Sequence, residues 1–383
     1  MKIIARSAGI AALLGAGLLA GPALAQQMPT AQSWTAYDTG SSGFNIAVAV
    51  GQMLKTKNGS DVRVLPAGND TARLNPLKAG RANISAMGIG SYFAQEGVYE
   101  FGGKDWGPQP IRLLLTTISC NGLSLGVAKD TGVKTIADLK GKRLAAVVGS
   151  PALTQGAFAI LAFGGLTPND VKIVEFSSNN AMWKGVINNE ADAGFSSTIS
   201  GQTRETDASP RGIVWPPTPA SDKAGWQRLQ TKAPYFVPHK ATCGSGGASK
   251  ESPIEMPTYP YPIFMSYADQ PADQIYAVVK SMVVNYDDYK SAAPGADGLE
   301  AKQQNLTWVI PYHDGAVRAL KEAGVWNDAA QQHNDALLKR QQVLAGAWKA
   351  YVATNPADDK FAAGWTAARA DALKKAGMPP VFE

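Results

Sequence analysis

The feature that most constrains the fold is an alternation of short β-like runs with amphipathic helical patterns, which begins near residue 33. Residues 33–39 predict a strand, a turn of Gly and Ser follows at residues 40–43, and apolar residues at helical spacing then predict a helix that ends near Gly59. Residues 61–65 and 84–89 predict the next two strands. Strands that alternate with helices are typical of α/β proteins built on largely parallel sheets.

A second series of the same units follows an apolar, β-rich run at residues 123–129. Ser150 followed by Pro151 predicts the start of a helix, because Pro suits the first helical position. Residues 205–262 are rich in Pro and Gly and predict mostly loop, whereas most of the chain after residue 271 predicts helices. At about 150 residues per domain, a chain of 383 residues predicts roughly two domains.

The first 25 residues predict a secretory signal peptide. Lys2 and Arg6 give a positively charged start, an apolar run follows, and residues 23–25 form an A-x-A cleavage site. The alternative is a transmembrane anchor, which needs about 20 uninterrupted apolar residues, whereas Gly and Pro interrupt this run. We therefore expect a periplasmic protein.

Composition limits the function classes. Charged residues make up 17% of the chain and hydrophobic residues 45%, which is typical of a globular protein with a sizeable core. The formal net charge is +5, yet 36 Lys and Arg barely outnumber 31 Asp and Glu, and no basic block occurs. Nucleic-acid-binding proteins concentrate positive charge on one surface, so we predict no nucleic-acid partner.

Catalytic and metal-binding residues are scarce. The three His and two Cys are scattered rather than clustered, which argues against a transition-metal site. The chain lacks G-x-S-x-G and Walker A motifs, and no G-x-G-x-x-G lies at a strand–helix junction. We therefore predict neither an enzyme nor a cofactor. Cys120 and Cys243 can form a disulfide only if the fold brings them together, and the sequence leaves this open.

Two turns that open helices are candidates for binding an anion. Residues 40–44 and 149–154 each join a predicted strand to a helix N-terminus, where unpaired N–H groups and a partial positive charge favour carboxylates and phosphates. If both turns face one cleft, they would hold a small anion from two sides. The alternative is that Ser42 and Ser150 only cap their helices.

The order of these pieces resembles the TAXI family of solute-binding proteins, the extracytoplasmic receptors of TRAP transporters. The resemblance covers nearly all of the chain after the signal peptide. It rests on the segments at residues 37–44, 61–64, 77–84, 127–148, 190–195 and 310–326.

The resemblance implies an α/β chain with a type II periplasmic-binding-protein fold, in which two α/β lobes enclose a ligand cleft. It implies a first lobe of residues 26–125 plus 256–383, which includes C-terminal helices, and a second lobe of residues 126–255. The expected function is capture of a small organic acid and its delivery to TRAP-type membrane permease subunits. We expect a monomer whose lobes close around the ligand.

The residues predicted to contact the ligand lie at the two turns and at nearby strand or helix ends. They are Ser41, Ser42, Gly43, Phe44, Asn69, Gly90, Ser91, Tyr92, Ser150, Ala152, Leu153, Thr154, Trp183 and Ser196. Phe44, Tyr92 and Trp183 either line a less polar pocket or belong to the core. Nine Arg occur from Arg63 to Arg318, both included, and the sequence does not show which of them reaches the cleft.

Two other functions stay open at this point. One is a secreted enzyme that uses Asp38 or His313 as a base in the cleft, although His313 is expected to be structural. The other is an accessory protein that presents its ligand to a membrane sensor.

Overall fold

The computed structural model describes residues 28–382 and contains two five-stranded sheets and one two-stranded ribbon. The predicted signal peptide at residues 1–25 lies outside the described residues. Within the described part of the chain, no helix combines the length and apolar character that a membrane span requires.

The strands are β1 (Ala31–Tyr37), β2 (Asp61–Ala67), β3 (Ile84–Met87), β4 (Ile111–Thr116), β5 (Leu123–Ala128), β6 (Arg143–Val147), β7 (Lys172–Phe176), β8 (Ala193–Ser197), β9 (Ile213–Val214), β10 (Val237–Ala241), β11 (Ile254–Thr258) and β12 (Ile263–Tyr267). The α-helices are α1 (Ser42–Asn58), α2 (Asp70–Lys78), α3 (Gly90–Glu96), α4 (Pro151–Phe163), α5 (Asn179–Ile187), α6 (Gly201–Ala208), α7 (Lys223–Lys232), α8 (Ala272–Val284), α9 (Tyr286–Tyr289), α10 (Asp314–Glu322), α11 (Asp328–Ala353) and α12 (Asp358–Lys375).

The two large sheets share one topology. The first has the order β2-β1-β3-β12-β4 and the second the order β7-β6-β8-β5-β9. In each, the first three strands are parallel, and the fourth, β12 or β5, runs antiparallel to both of its neighbours. In each sheet, the strand that is antiparallel to both of its neighbours therefore comes from a segment next to the crossing between the sheets. Two such α/β lobes are the type II periplasmic-binding-protein fold, as expected.

The chain leaves the first sheet after β4 and returns to it at β12. The outgoing segment, residues 117–122, precedes β5. The expected lobe boundary between residues 125 and 126 falls inside β5, whose pairing lies entirely in the second sheet. The numerical division into lobes stays a prediction; below, each lobe means one large sheet with the helices packed on it.

Local sequence explains why the helices next to the cleft begin where they do. The Ser41 hydroxyl accepts a hydrogen bond from the backbone N–H of Phe44 and caps α1, which ends at Gly59 in the left-handed conformation. Asn69 caps α2 by accepting from Ala72 N at 2.8 Å. The expected start of α4 at Ser150 and Pro151 is confirmed, although the Ser150 side chain makes no capping bond.

The prediction that residues 205–262 are mostly loop is confirmed, but it missed the elements that lie between the loops. These residues contain the end of α6, the strands β9, β10 and β11, and helix α7. The strands β10 and β11 pair as an antiparallel ribbon in which Pro238 lies opposite Pro257. A ribbon of two edge strands tolerates Pro because each strand lacks a ladder on one side.

A disulfide joins the outgoing segment to the loop between β10 and β11. Cys120 lies in the outgoing segment and Cys243 lies just after β10, and the two are bonded. Thr242 N also donates to Cys120 O at 2.9 Å. The fold thus brings together two cysteines that the sequence left unassigned.

The helices α11 and α12 pack on the first lobe through a buried ionic group, which we call the C-terminal cluster: Glu96, Arg340 and Arg369. Glu96 Oε1 and Oε2 accept from Arg340 Nε at 2.6 Å and Nη2 at 2.8 Å. Arg369 Nη2 also donates to Glu96 Oε2, and both Glu96 and Arg369 are fully buried. The cluster fixes α3 against both C-terminal helices.

Candidate functional site

A narrow cavity lies between the two lobes, at the carboxyl ends of their parallel strands. This is where open α/β sheets place their ligands. The cavity is narrow: the centre of a water molecule can move in about 20 Å³ of it. This is enough for one water. The first lobe and the returning chain line it with Tyr37, Ser41, Ser42, Arg73, Gly88, Tyr259 and Tyr261; the second lobe lines it with Leu123, Ala152, Leu153, Asn179, Phe195, Ser196, Ser197 and Ser200.

One wall holds a buried group that we call the cavity cluster: Tyr37, Asp70 and Arg73. Tyr37 ends β1, and its hydroxyl donates to Asp70 Oδ1 at 2.5 Å. Arg73 Nη2 donates to the same oxygen, and the guanidinium carbon lies 3.4 Å from the centre of the Tyr37 ring. Asp70 and Arg73 are fully buried, so the fold keeps this charge pair away from bulk water.

Arg73 is held in place but keeps binding capacity. Its Nη1 donates to Ala86 O at 3.1 Å, whereas its buried Nε has no hydrogen-bond partner. Burial lowers the pKa of the guanidinium, but the neighbouring Tyr37 and Asp70 raise the pKa above its ordinary value. Arg73 is therefore charged, and it is the one residue with a formal charge among the described residues that line the cavity.

The N-terminus of α1 faces the cavity through Ser41 and Ser42. The first N–H groups of a helix have no acceptor within the helix, so this end carries a partial positive charge beside Arg73. The hydroxyl of Tyr261 lies near this end: a Cβ built on Gly43 would be 3.5 Å from it. Together these groups give the first-lobe wall hydrogen-bond donors and positive charge, which are suited to a negatively charged group.

The N-terminus of α4 is already occupied. Ala152 N donates to Asp70 Oδ2 at 2.8 Å, and Pro151 has no N–H to offer. Gly90 makes room for this contact, since a Cβ there would lie 2.9 Å from Asp70 Cγ. At the second turn a carboxylate of the protein itself therefore accepts the Ala152 N–H. That both turns hold a ligand anion stays a prediction.

Further hydrogen bonds join the lobes around the cavity. Gly201 N donates to Gly40 O at 2.9 Å, and Asn179 N donates to Gly68 O at 3.0 Å. The approach at Gly68 requires glycine, because a Cβ there would lie 2.6 Å from the Ser178 Cβ. Asn180 N donates to Asp38 Oδ2 at 2.9 Å. These contacts describe a closed cleft.

The tyrosines of the cavity stay protonated near neutral pH. Burial raises the pKa of the Tyr37 hydroxyl well above its ordinary value. Burial also raises the pKa of Tyr259 and of Tyr261. They therefore offer neutral O–H groups and ring faces rather than charges.

Five of the residues predicted to contact the ligand line this cavity: Ser41, Ser42, Ala152, Leu153 and Ser196. Four more lie next to residues that form or support its wall. Gly43 lies beside the Tyr261 hydroxyl, and Gly90 leaves space for Asp70. Asn69 caps α2, the helix that carries Arg73, and the Ser150 hydroxyl lies 2.7 Å from the Tyr37 hydroxyl.

The remaining predicted residues lie elsewhere in the described structure. Phe44 packs on the core and Thr154 is half-buried on α4. Ser91 donates to Gly88 O at 2.6 Å, and the Tyr92 ring packs 5.2 Å from that of Phe382. Trp183 is 1% exposed and borders a separate groove, so the core alternative for Tyr92 and Trp183 agrees with their burial.

Sequence reasoning missed the most polar part of the cavity. Tyr37, Arg73, Tyr259, Tyr261 and Asn179 were not among the predicted contacts, and neither was Asp70 behind them. A signal existed: Asp70 and Arg73 stand three residues apart in a helix that follows a strand, with Asn69 as its cap. Such spacing is usual on solvated helices, and nothing in the sequence marks this pair as buried.

The residues considered as catalytic bases make structural contacts. His313 caps α10: its Nδ1 accepts from Gly315 N at 3.1 Å, and its Nε2 lies 3.1 Å from Gln270 O. Burial lowers the pKa of His313, so the imidazole is neutral near pH 7. Among residues 28–382, no group of His, Cys, Asp and Glu is arranged to hold a metal ion.

Comparison with known proteins gives one family match and several distant structural similarities. The chain is similar to a binding protein of a phosphonate transporter from Pseudomonas aeruginosa, with 12% identity over 92% of this chain and 99% of that one and a TM-score of 0.45. An alkanesulfonate-binding protein from Xanthomonas axonopodis pv. citri, bound to MOPS, has 16% identity over 85% and 93% of the chains and a TM-score of 0.39. An ancestral arginine-binding protein bound to arginine has 14% identity over 70% and 97%, with a TM-score of 0.41.

These similarities are too low to indicate what this chain binds. The family match, in contrast, extends over residues 35–324, which includes every residue that lines the cavity and both large sheets except residues 31–34 of β1. On that match, the chain belongs to the NMT1-like family.

Proposed function

We propose that this chain is an extracytoplasmic solute-binding receptor that captures a small organic acid between its two lobes. The observation that carries the proposal is the buried Nε of Arg73, which has no partner, on a residue that lines the cavity between the lobes. A buried donor on a charged group is costly when it is unpaired. A ligand carboxylate removes that cost by accepting its hydrogen bond.

A guanidinium is well suited to this ligand class. Its one unpaired nitrogen, Nε, can donate to a carboxylate oxygen, and charge-assisted bonds of this kind are about twice as strong as neutral ones. The positive end of α1 adds to the attraction. Ser41, Ser42, Ala152, Leu153 and Ser196 are the proposed further contacts to the ligand, with Asn179 as an additional amide.

Closure of the cleft is the proposed working motion. The hydrogen bonds from Gly201 to Gly40 and from Asn179 to Gly68 link lobes that must separate for a ligand to enter. A ligand that touches both walls binds the closed state better than the open state and so shifts the population toward closure. A membrane partner can then distinguish the loaded receptor by its shape.

We further propose that the receptor is a TAXI-type protein that serves a TRAP-type permease. It is monomeric and is secreted to the periplasm with residues 1–25 as its signal peptide. The support is the sequence resemblance together with membership of the NMT1-like family. Reconstitution with the permease subunits tests this assignment: uptake of the acid should require both components. Uptake through the permease without the receptor would contradict it.

Native mass spectrometry and thermal unfolding test the binding function. The protein as purified should carry a small acid, or should be stabilised by one, since a ligand at about 100 times its Kd adds about 2.7 kcal/mol to the free energy of unfolding. The ligand should be recovered chemically intact after long incubation. No stabilisation across a broad panel of organic and amino acids would contradict the proposal, and a converted ligand would favour an enzyme.

A further inference from the structure

The two helix N-termini that face the cleft are not equivalent, and this difference limits the charge of the ligand. The end of α1 lies open to the cavity at Ser42. The end of α4 is taken by Asp70, whose Oδ2 accepts from Ala152 N at 2.8 Å. A second carboxylate on the ligand would have to displace Asp70, which is fully buried and bonded to Tyr37 and Arg73.

The charges around the cavity lead to the same conclusion. Arg73 is the one charged residue among the described residues that line the cavity, and it is in direct contact with Asp70. The pair is neutral before a ligand enters. One ligand carboxylate therefore leaves a single negative charge, which the end of α1 and the free Nε of Arg73 can stabilise. A second carboxylate would add a buried charge with no cation to pair with it, which is strongly unfavourable.

The remaining wall suits an uncharged ligand body. Leu123, Leu153 and Phe195 from the second lobe and the rings of Tyr259 and Tyr261 border the cavity. The neutral hydroxyls of Ser196, Ser197 and Ser200 stand beside them. The cavity in this closed cleft is narrow, with room for about one water molecule, so the cleft must widen to take even a short acid.

We propose that the ligand is a small monocarboxylate, with an apolar or hydroxylated body and no second negative charge. This inference rests on the proposed function, since it specifies the acid that the same cavity takes. It assigns Asp70 a new role: the carboxylate of Asp70 fills the second anion position and makes the site selective.

Calorimetric titration of the full chain with three matched probes tests the inference. Butyrate, succinate and butyramide share a four-carbon skeleton and differ in charge, and the titration is run near pH 8, where succinate is doubly charged. Butyrate should bind at least about tenfold more tightly than succinate, because the second charge is unpaired. Tighter binding of succinate would overturn the monocarboxylate inference and leave the receptor function standing. The proposed function itself would be overturned if butyramide bound as tightly as butyrate. It would also be overturned if no acid of a wider panel bound.

Two matched variants test the role of Asp70. Asp70→Asn keeps the shape and removes the charge, and it should reduce the preference for butyrate over succinate by about tenfold or more. Asp38→Asn is the control, because Asp38 also accepts an N–H from the second lobe, at Asn180, but does not line the cavity. Its preference ratio should equal that of the wild type. An unchanged ratio in a folded Asp70→Asn variant would overturn the role of Asp70, and if that variant does not fold, the wild-type titration decides.

Discussion

Two buried carboxylate–arginine clusters lie in the first lobe, and each leaves one guanidinium nitrogen without a partner. In the cavity cluster it is Arg73 Nε, and in the C-terminal cluster it is Arg369 Nη1. Arg73 borders the cavity between the lobes, whereas Arg369 is enclosed between α3 and α12, where its Nε donates to Glu96 O at 3.0 Å. An unpaired nitrogen thus points to a ligand only where there is space for one.

The clusters also differ in charge. Asp70 and Arg73 balance each other, whereas Glu96 faces both Arg340 and Arg369. Glu96 holds two helices that follow it by more than 200 residues, so we assign the C-terminal cluster to stability. For the cavity cluster we propose a role in binding. Four predictions test this division, from the largest expected effect to the smallest.

Glu96→Gln should give the largest loss of stability. It leaves two buried guanidinium groups without their carboxylate, and removing one partner of a buried ion pair costs about 3–5 kcal/mol of the free energy of unfolding. Urea unfolding measures the effect. Glu322→Gln is the control, because Glu322 forms an exposed pair with Lys280 and should change stability little. Equal effects for the two variants would contradict the assignment.

The double variant Asp70→Asn/Arg73→Met should fold but bind poorly. Removing both charges together leaves no unpaired ion, so its stability should fall less than that of Glu96→Gln. Its affinity for a bound acid should fall at least about 30-fold, which corresponds to about 2 kcal/mol. Titration calorimetry measures this, with the exposed Arg81→Met as control. Retained affinity would place the ligand elsewhere.

The pH dependence should differ between stability and binding. Burial lowers the pKa of His313 and outweighs the nearby Asp314. The unfolded chain therefore binds the proton more readily, and stability present above about pH 6.5 should be lost as the pH falls toward the lower folded value. His313→Asn, which keeps a capping acceptor, should reduce this loss; burial also lowers the pKa of His239, so part of the slope should remain.

The affinity for the acid should instead be constant between about pH 6.5 and 8. Burial raises the pKa of Tyr37, Tyr259 and Tyr261, so these hydroxyls stay protonated. A simple carboxylic acid is ionised throughout this range. Titration calorimetry across that range checks the expectation. A steep change of affinity would show that an ionisable group near the cavity takes part in binding.

Phe382→Ala should give the smallest effect. The Phe382 ring packs at 5.1 Å from that of Phe93 and at 6.4 Å from that of Tyr235, and such pairs contribute about 0.5–1.5 kcal/mol beyond burial. Arg340 Nη1 fixes the same tail through Pro379 O at 3.0 Å. Thermal unfolding should show a modest loss, larger than that of the exposed Val284→Ala. No loss would mean that the tail does not contribute to stability.

Sequence patterns predicted the parts of the fold that depend on local chemistry. The strand–helix alternation, the end of α1 at Gly59 and the start of α4 at Pro151 all follow from capping and periodicity. The β10–β11 ribbon was missed because Pro238 and Pro257 favour loop locally, and only pairing with each other makes them strands.

The site was predicted only in part, because local patterns show turns but not tertiary contacts. Ser41 and Ser42 follow from a visible turn, and they line the cavity. Asp70 and Arg73 form an ordinary helical pair in sequence, and only tertiary packing buries them completely. The contact from Asp70 to Ala152 joins residues 82 positions apart, which no local pattern encodes.

A crystal structure of the full chain with bound butyrate tests the central claim most directly. One carboxylate oxygen should lie within about 3 Å of Arg73 Nε, beside the N-terminus of α1, with Asp70 still bonded to Ala152 N. A carboxylate found at Ala152 N with Asp70 displaced, or a ligand bound outside the cavity, would contradict the assignment of Arg73 as the anion-binding group and Asp70 as the selective one.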